Sequence, residues 1–212
     1  MKGKFITFEG SEGCGKSTQS KLLYKFLKSK GYPVVYLREP GGVRISERIR
    51  KILLDPRNHI APTTEMLLYM AARAQVVNDI IKPELLKGNT VICDRFLDST
   101  VAYQGYGLGM DVEFIKRVGD FVTGGIKPDL TIFLDLAVKK GLVHREGKKD
   151  RIEKRSFRYH MRVRNGYLKL ASRERGRIKI VKVDKDKNFT QEAIRKIALQ
   201  CHFKISKDKL KR

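Results

Sequence analysis

The stretch "GSEGCGKS" at residues 10–17 restricts this chain more than any other. It sets Gly10, Gly15, Lys16 and Ser17 on the pattern G-x-x-x-x-G-K-[ST], between the apolar run "KFITF" (4–8) and a helical pattern over 16–30 that stops at Gly31. A strand, a glycine-rich turn and a helix in that order gather backbone N–H groups and a helix N-terminus around one point, which makes an anion cradle. Residues Gly10, Ser11, Glu12, Gly13, Cys14, Gly15, Lys16, Ser17 and Thr18 are expected to hold the phosphates of a nucleoside triphosphate. Lys16 should reach the β- and γ-phosphates, and Ser17 should offer its hydroxyl to Mg2+. The variable middle of the loop carries an acid, Glu12, and no base. Some other segment must neutralise the group being transferred.

Four further β-rich runs alternate with helical patterns: "VVYL" (34–37), "TVIC" (90–93), "LTIFL" (130–134) and "IKIVKV" (178–183). Near-continuous apolar runs suit strands buried on both faces, so the chain is expected to be α/β, with a five-stranded parallel sheet flanked by helices. Thr63 and Thr64 are candidate caps for a helix whose Leu67, Met70, Ala74, Val77 and Ile81 recur on one face, with Pro83 as a kink. Residues 152–173 carry a stripe of Phe157, Met161 and Leu168, with Tyr159, Val163, Tyr167 and Leu170 beside it. "HREGKKDR" (144–151) reads as a mobile surface loop and residues 204–212 as a frayed basic tail. No internal repeat or Pro/Ser-rich linker divides the chain, which predicts a single domain over 1–203.

Composition narrows the chemistry. Cys14, Cys93 and Cys201 form no C-x-x-C pair, and the four histidines lack metal-ligand spacing, which argues against a disulfide framework or a zinc site. Cys14 reads as a small loop-filling residue, and His144 and His160 read as surface residues. No apolar run approaches the ~20 residues of a membrane span, and no secretory leader is visible, so a cytoplasmic protein without a membrane partner is expected. The formal net charge is +23. A nucleic-acid footprint, an anionic small substrate and a solvated basic face all fit that surplus, and charge alone does not choose among them.

Three stretches gather at expected strand ends, where α/β sheets bind ligands. "LREPGG" (37–42) brings Arg38, "DRFLDSTVAYQGYG" (94–107) brings Arg95, and "LLYMAARAQ" (67–75) sets Tyr69 and Arg73 four residues apart on one helix face. Arg38 and Arg95 can fork onto a monophosphate. Tyr69 and Arg73 suit a flat, hydrogen-bonding base, and Ser99, Thr100 and Gln104 can read polar base edges. Asp94, an acid at the end of a buried strand, either supports Mg2+ or caps the next segment. Arg48 and Arg50 read as solvated helix charges, with Arg50 able to reach an acceptor phosphate.

Here the sequence resembles a known family. "FEGSEGCGKST", "REPGG", "AAR" and "DRFLDSTVAYQG", followed by "DRIEKRSF…YLKLA", resemble the ordered signature of thymidylate kinase over essentially residues 1–175. The resemblance implies a P-loop nucleoside monophosphate kinase-like fold and the reaction dTMP + ATP giving dTDP + ADP, with Mg2+, in a homodimer packed through its long helices. It implies that Tyr69 stacks on thymine, that Arg73 contacts the base, and that Thr100 and Gln104 line its pocket. Tyr103 then sits against C2′ and disfavours a ribose hydroxyl, Glu12 lies near the acceptor sugar and the transfer region, and Arg38 and Arg95 hold phosphate. Gly13 at the variable loop position makes this the type that takes its arginine from the lid, at about residues 141–153. Arg151 is the first candidate and Arg145 the second, with Lys148 and Lys149 adding field. Two positions depart from the pattern: Val43 replaces a usual Thr, and Leu108 replaces a frequent Arg. The competing readings are another nucleoside monophosphate or deoxynucleoside kinase, and a basic nucleic-acid-binding P-loop protein. The base-pocket string favours the kinase and no specific nucleic-acid partner.

Overall fold

A computed structural model describes residues 3–143 and 149–202, the last two as backbone only. Five strands form one all-parallel sheet: β1 (Lys4–Glu9), β2 (Val34–Arg38), β3 (Thr90–Asp94), β4 (Leu130–Asp135) and β5 (Ile178–Lys182). Their order is β2-β3-β1-β4-β5. Alternation along each strand feeds two apolar layers. Ile6 and Phe8 pack with Leu23 and Leu27 of α1 (Lys16–Ser29) and with Ile194 and Ala198 of α9 (Lys187–His202). Phe5 and Val91 face the opposite way, onto Val76, Val77 and Ile81. Each fully buried side chain of this kind contributes about 1.5–3 kcal/mol.

The register levels the functional ends of the strands. Phe8 and Arg38 both pair with Asp94, so β1, β2 and β3 end together and their following loops open on one side of the sheet. The chain further forms α2 (Arg44–Leu54), α3 (Pro62–Val76), α6 (Val112–Thr123), α7 (Val138–Val143) and α8 (Phe157–Arg173), of which α2 packs on α3, α3 on α6 and α7 on α8. The short helix α5 (Leu97–Thr100) runs into a π-helical turn over Val101–Gly107.

Several local expectations need correction. The cap of α3 is Ala61, with Pro62 in the first turn, and neither Thr63 nor Thr64 caps it. Proline needs no N–H donor partner at that position. Leu67 is exposed, and the buried face carries Met66, Met70, Arg73 and Val76. The irregularity ascribed to Pro83 lies ahead of it: a π-helical turn over Val77–Ile81 joins α3 to α4 (Lys82–Leu86). Without an N–H, Pro83 cannot donate to the carbonyl four residues back, and its ring crowds that position. On α8 the buried stripe is Tyr159, Val163, Tyr167 and Leu170, whereas Phe157 is exposed. His160 is buried as well, and that burial lowers its pKa. Residues 144–148, with His144 and Arg145, and residues 203–212 lie outside the described part of the chain, so the mobile loop and tail expected there are not addressed.

Candidate functional site

A cleft of about 350 Å³ opens where β1, β2 and β3 end. Its walls include Glu12, Gly13, Gly15, Lys16, Ser17 and Thr18 of the loop after β1. Arg38 follows from β2, Tyr69 and Arg73 from α3, and Asp94, Arg95, Ser99, Thr100, Tyr103 and Gln104 from β3 and the segment after it. Ser11 and Cys14 are buried in the loop itself. Nearly every residue singled out in the sequence therefore meets at one place.

At the loop, Lys16 folds back so that its ammonium donates to Ser11 O at 2.7 Å and Cys14 Sγ at 3.6 Å. Gly13 explains why the loop carries no arginine. Its backbone is left-handed, with φ +70°, and a Cβ there would lie 1.9 Å from the carbonyl oxygen of Gly141 on α7. The reciprocal contact is equally close, since a Cβ on Gly141 would lie 2.3 Å from Glu12 O. The donor loop and the helix leading to the lid segment touch backbone to backbone, and no side chain fits between them.

Ser17 Oγ donates to Asp94 Oδ2, which ties the start of α1 to the end of β3. The other oxygen, Asp94 Oδ1, is buried and has no hydrogen-bond partner among the described residues. A hydroxyl beside an unpartnered carboxylate oxygen, next to a phosphate cradle, is a donor set that fits Mg2+. Among the described residues no cluster of three or more His, Cys, Asp or Glu could hold a metal. The remaining ligands would have to be phosphate oxygens and water.

Arg95 is the hub of the cleft. It is the one non-glycine residue with positive φ, at 76°, among the described residues. Such a conformation in a bulky residue is strained and persists where its surroundings over-determine it. Its N–H donates to Phe8 O at 2.9 Å. Its guanidinium donates to Glu12 Oε1 (2.9 Å), Tyr103 OH (3.0 Å), Gly10 O (3.2 Å) and Ser99 Oγ (3.1 Å). Tyr103 OH donates to the same Glu12 oxygen at 2.6 Å. Behind this group sits Glu9, fully buried, accepting from Phe96 N–H, Ser99 Oγ and Tyr167 OH. Burial, reinforced by the nearby Asp98, pushes the Glu9 carboxyl up to about 7 against the lowering effect of Ser99, Arg95 and Tyr167.

Arg73 is buried on the other wall. It pairs with Glu39 at 2.8 Å and donates to Thr100 Oγ1 and Phe96 O, each at 3.0 Å. Burial raises the Glu39 pKa, and the Arg73 guanidinium opposes that rise. Arg38 Nη2 donates to both carboxylate oxygens of Glu47, each at 3.1 Å, and Arg50 donates to Pro40 O from the cleft lining. Val43 caps α2 without a side-chain hydrogen bond.

Arg151 is placed apart from the other candidates. Its Nε donates to Leu53 O at 2.8 Å and its Nη2 pairs with Glu65 Oε2 at 2.5 Å, while its neighbours Asp150, Ile152 and Glu153 line the cleft. Glu9, Glu39 and Glu65 were not legible as site residues. Their signals were weaker: Glu9 and Glu39 stand inside the strings "FEGSEGCGKST" and "REPGG", and Glu65 lies one helical turn before Tyr69.

The family model described as thymidylate kinase matches residues 8–194. The thymidylate kinase of Caldanaerobacter subterraneus subsp. tengcongensis is 51% identical over 171 residues, covering 80% of this chain and 82% of that protein. That of Geotalea daltonii is 51% identical over 189 residues, covering 84% and 88%. The crystal structure of thymidylate kinase from Ehrlichia chaffeensis matches this fold with a TM-score of 0.78 at 33% identity, covering 93% of this chain and 99% of that one.

Proposed function

Because the chain belongs to the thymidylate kinase family, we propose that its cleft moves the γ-phosphoryl group of ATP onto the phosphate of dTMP through the residues assigned below. The carrying observation is the convergence, in one cleft, of the phosphate loop with the Tyr69–Arg73 wall and the Arg95–Glu12–Tyr103 group. Phosphoryl transfer asks little covalent work of a protein, so positioning and charge neutralisation do most of the catalysis. Lys16 and the loop amides receive the donor phosphates. Arg95 holds the acceptor phosphate, and Arg38 and Arg50 lie on the same side of the cleft. Tyr69, Arg73, Thr100 and Gln104 form the base pocket, and the Tyr103 ring faces the sugar. Mg2+, when bound at Ser17 and Asp94, supplies charge neutralisation at the phosphate oxygens. Arg151 leaves Glu65 for the transferring group when the lid, at about residues 141–153 of a single domain, closes over both substrates and excludes water.

The homodimer is a further part of this proposal. Ile45 and Ile52 on α2, Leu67 on α3, and Phe114 and Phe121 on α6 are all exposed, and these three helices pack in sequence. A second protomer covering that face accounts for the outward position of Leu67. Sedimentation equilibrium at micromolar protein is expected to return twice the protomer mass, and a protomer mass there removes the dimer.

The assignment is tested by ADP release with ATP·Mg2+ and separate acceptors: dTMP, dUMP, UMP, dCMP, dGMP and none. Turnover should be led by dTMP. dUMP should trail modestly, because one methyl group in a pocket is worth only about 1–3 kcal/mol. Ribose forms should be poor. Leadership by another acceptor would keep the donor chemistry and overturn the base-pocket roles.

A further inference from the structure

Glu65 has no exposed surface, yet it faces three donors. Its Oε1 accepts from Gln104 Nε2 at 2.7 Å. Its Oε2 accepts from Arg155 Nη2 at 2.7 Å and pairs with Arg151 Nη2 at 2.5 Å. Arg155 is itself fixed, donating to Tyr159 OH at 2.8 Å with its guanidinium 4.6 Å from that ring. We propose that Glu65 determines base specificity by locking the Gln104 amide with its NH2 turned away from the base and its carbonyl turned toward it, while the same carboxylate anchors the root of the lid.

The chemistry leaves the amide no alternative. The two ends of a glutamine amide are ordinarily interchangeable in a structure. An ionised carboxylate can only accept, so the Gln104 NH2 must face Glu65. The carbonyl oxygen is then what Gln104 offers to the cleft it lines. On the same seam between α3 and the segment after β3, Arg73, which donates to Thr100 one turn before Gln104, can only donate. One acceptor and one donor form a code. It matches a base with a ring N–H flanked by a carbonyl, as in thymine and uracil, and mismatches cytosine, which presents a bare ring nitrogen and an amino group. This inference rests on the dTMP reading of the cleft. It adds that a residue outside the cleft lining writes half of the code, and that lid position and base reading share one carboxylate.

The test compares dTMP with dCMP in kcat/KM for wild type, Glu65→Gln, and the swap Glu65→Gln with Gln104→Glu. In E65Q the two arginines hold the new carbonyl oxygen at the Oε2 position, so the new NH2 faces Gln104 and turns that amide over. The dTMP:dCMP ratio is expected to fall at least tenfold in E65Q, mainly through KM for dTMP. In the swap, the new carboxylate at 104 restores an acceptor toward the base, and the ratio should return to within about threefold of wild type. An E65Q enzyme that melts cooperatively and keeps the wild-type ratio overturns the proposal. A folding-independent arm uses wild type alone: N3-methyl-dTMP, which lacks the ring N–H, should bind at least tenfold more weakly than dTMP, and equal affinity overturns the proposal whatever the variants do. If wild type itself does not prefer dTMP to dCMP, the thymine reading fails first, and that outcome is distinct from a selective wild type with an equally selective E65Q.

Discussion

Lys16→Ala is expected to lower kcat by about a hundredfold or more while leaving the melting temperature within a few degrees of wild type. The size follows from what the side chain does in each state. Among the described residues its ammonium bonds only to its own loop, at Ser11 O and Cys14 Sγ, so truncation removes no hydrogen bond between distant described elements. During transfer it is a fixed cation beside phosphate oxygens, and removing one such donor costs roughly 3–4 kcal/mol of transition-state stabilisation. The loop amides and the N-terminus of α1 remain, so donor binding should weaken less than turnover. Steady-state kinetics with ATP and dTMP, alongside a thermal melt, separate the effects. A kcat within about threefold of wild type would remove Lys16 from the catalytic machinery.

The second large effect is expected at the arginines, where two variants diverge in their meaning. Arg95→Ala should lower kcat/KM for dTMP by about a hundredfold or more, because it deletes a guanidinium pre-positioned by Gly10, Ser99 and Tyr103. It also removes the ion pair between Arg95 and Glu12. Arg95→Lys should recover only part of the loss, since an ammonium keeps the charge and loses the fork. Arg151→Ala should lower kcat by a similar factor if the lid delivers this side chain to the transferring group. A raised KM with kcat within about threefold of wild type would instead leave Arg151 as a lid anchor on Glu65 and pass the neutralising role to another lid residue.

Much of the cleft was legible because its chemistry is written in contiguous strings. "GSEGCGKST" and "DRFLDSTVAYQ" each place several interacting groups within one turn or one strand end. The acids behind them were not legible. Glu9, Glu39 and Glu65 take their roles from Tyr167, Arg73 and Arg155, partners 158, 34 and 90 positions away. No local spacing encodes such a pairing. The apolar stripes failed for a related reason: periodicity shows that a helix has an apolar side, but Leu67 and Phe157 sit at its edges, and packing decided that they face outward.

By itself the sequence determined the all-parallel α/β class, the position of the phosphate loop and most of the charged and polar residues that line the cleft. Those depend on backbone chemistry and on side-chain periods of two and 3.6, which are local properties. The tertiary structure alone decided that Gly13 lies against Gly141 with no room for a side chain, that Arg151 rests on Glu65, and that the Gln104 amide donates to Glu65. Each of these is a contact across at least 39 positions of chain, set by how helices and strands pack into a single dense interior.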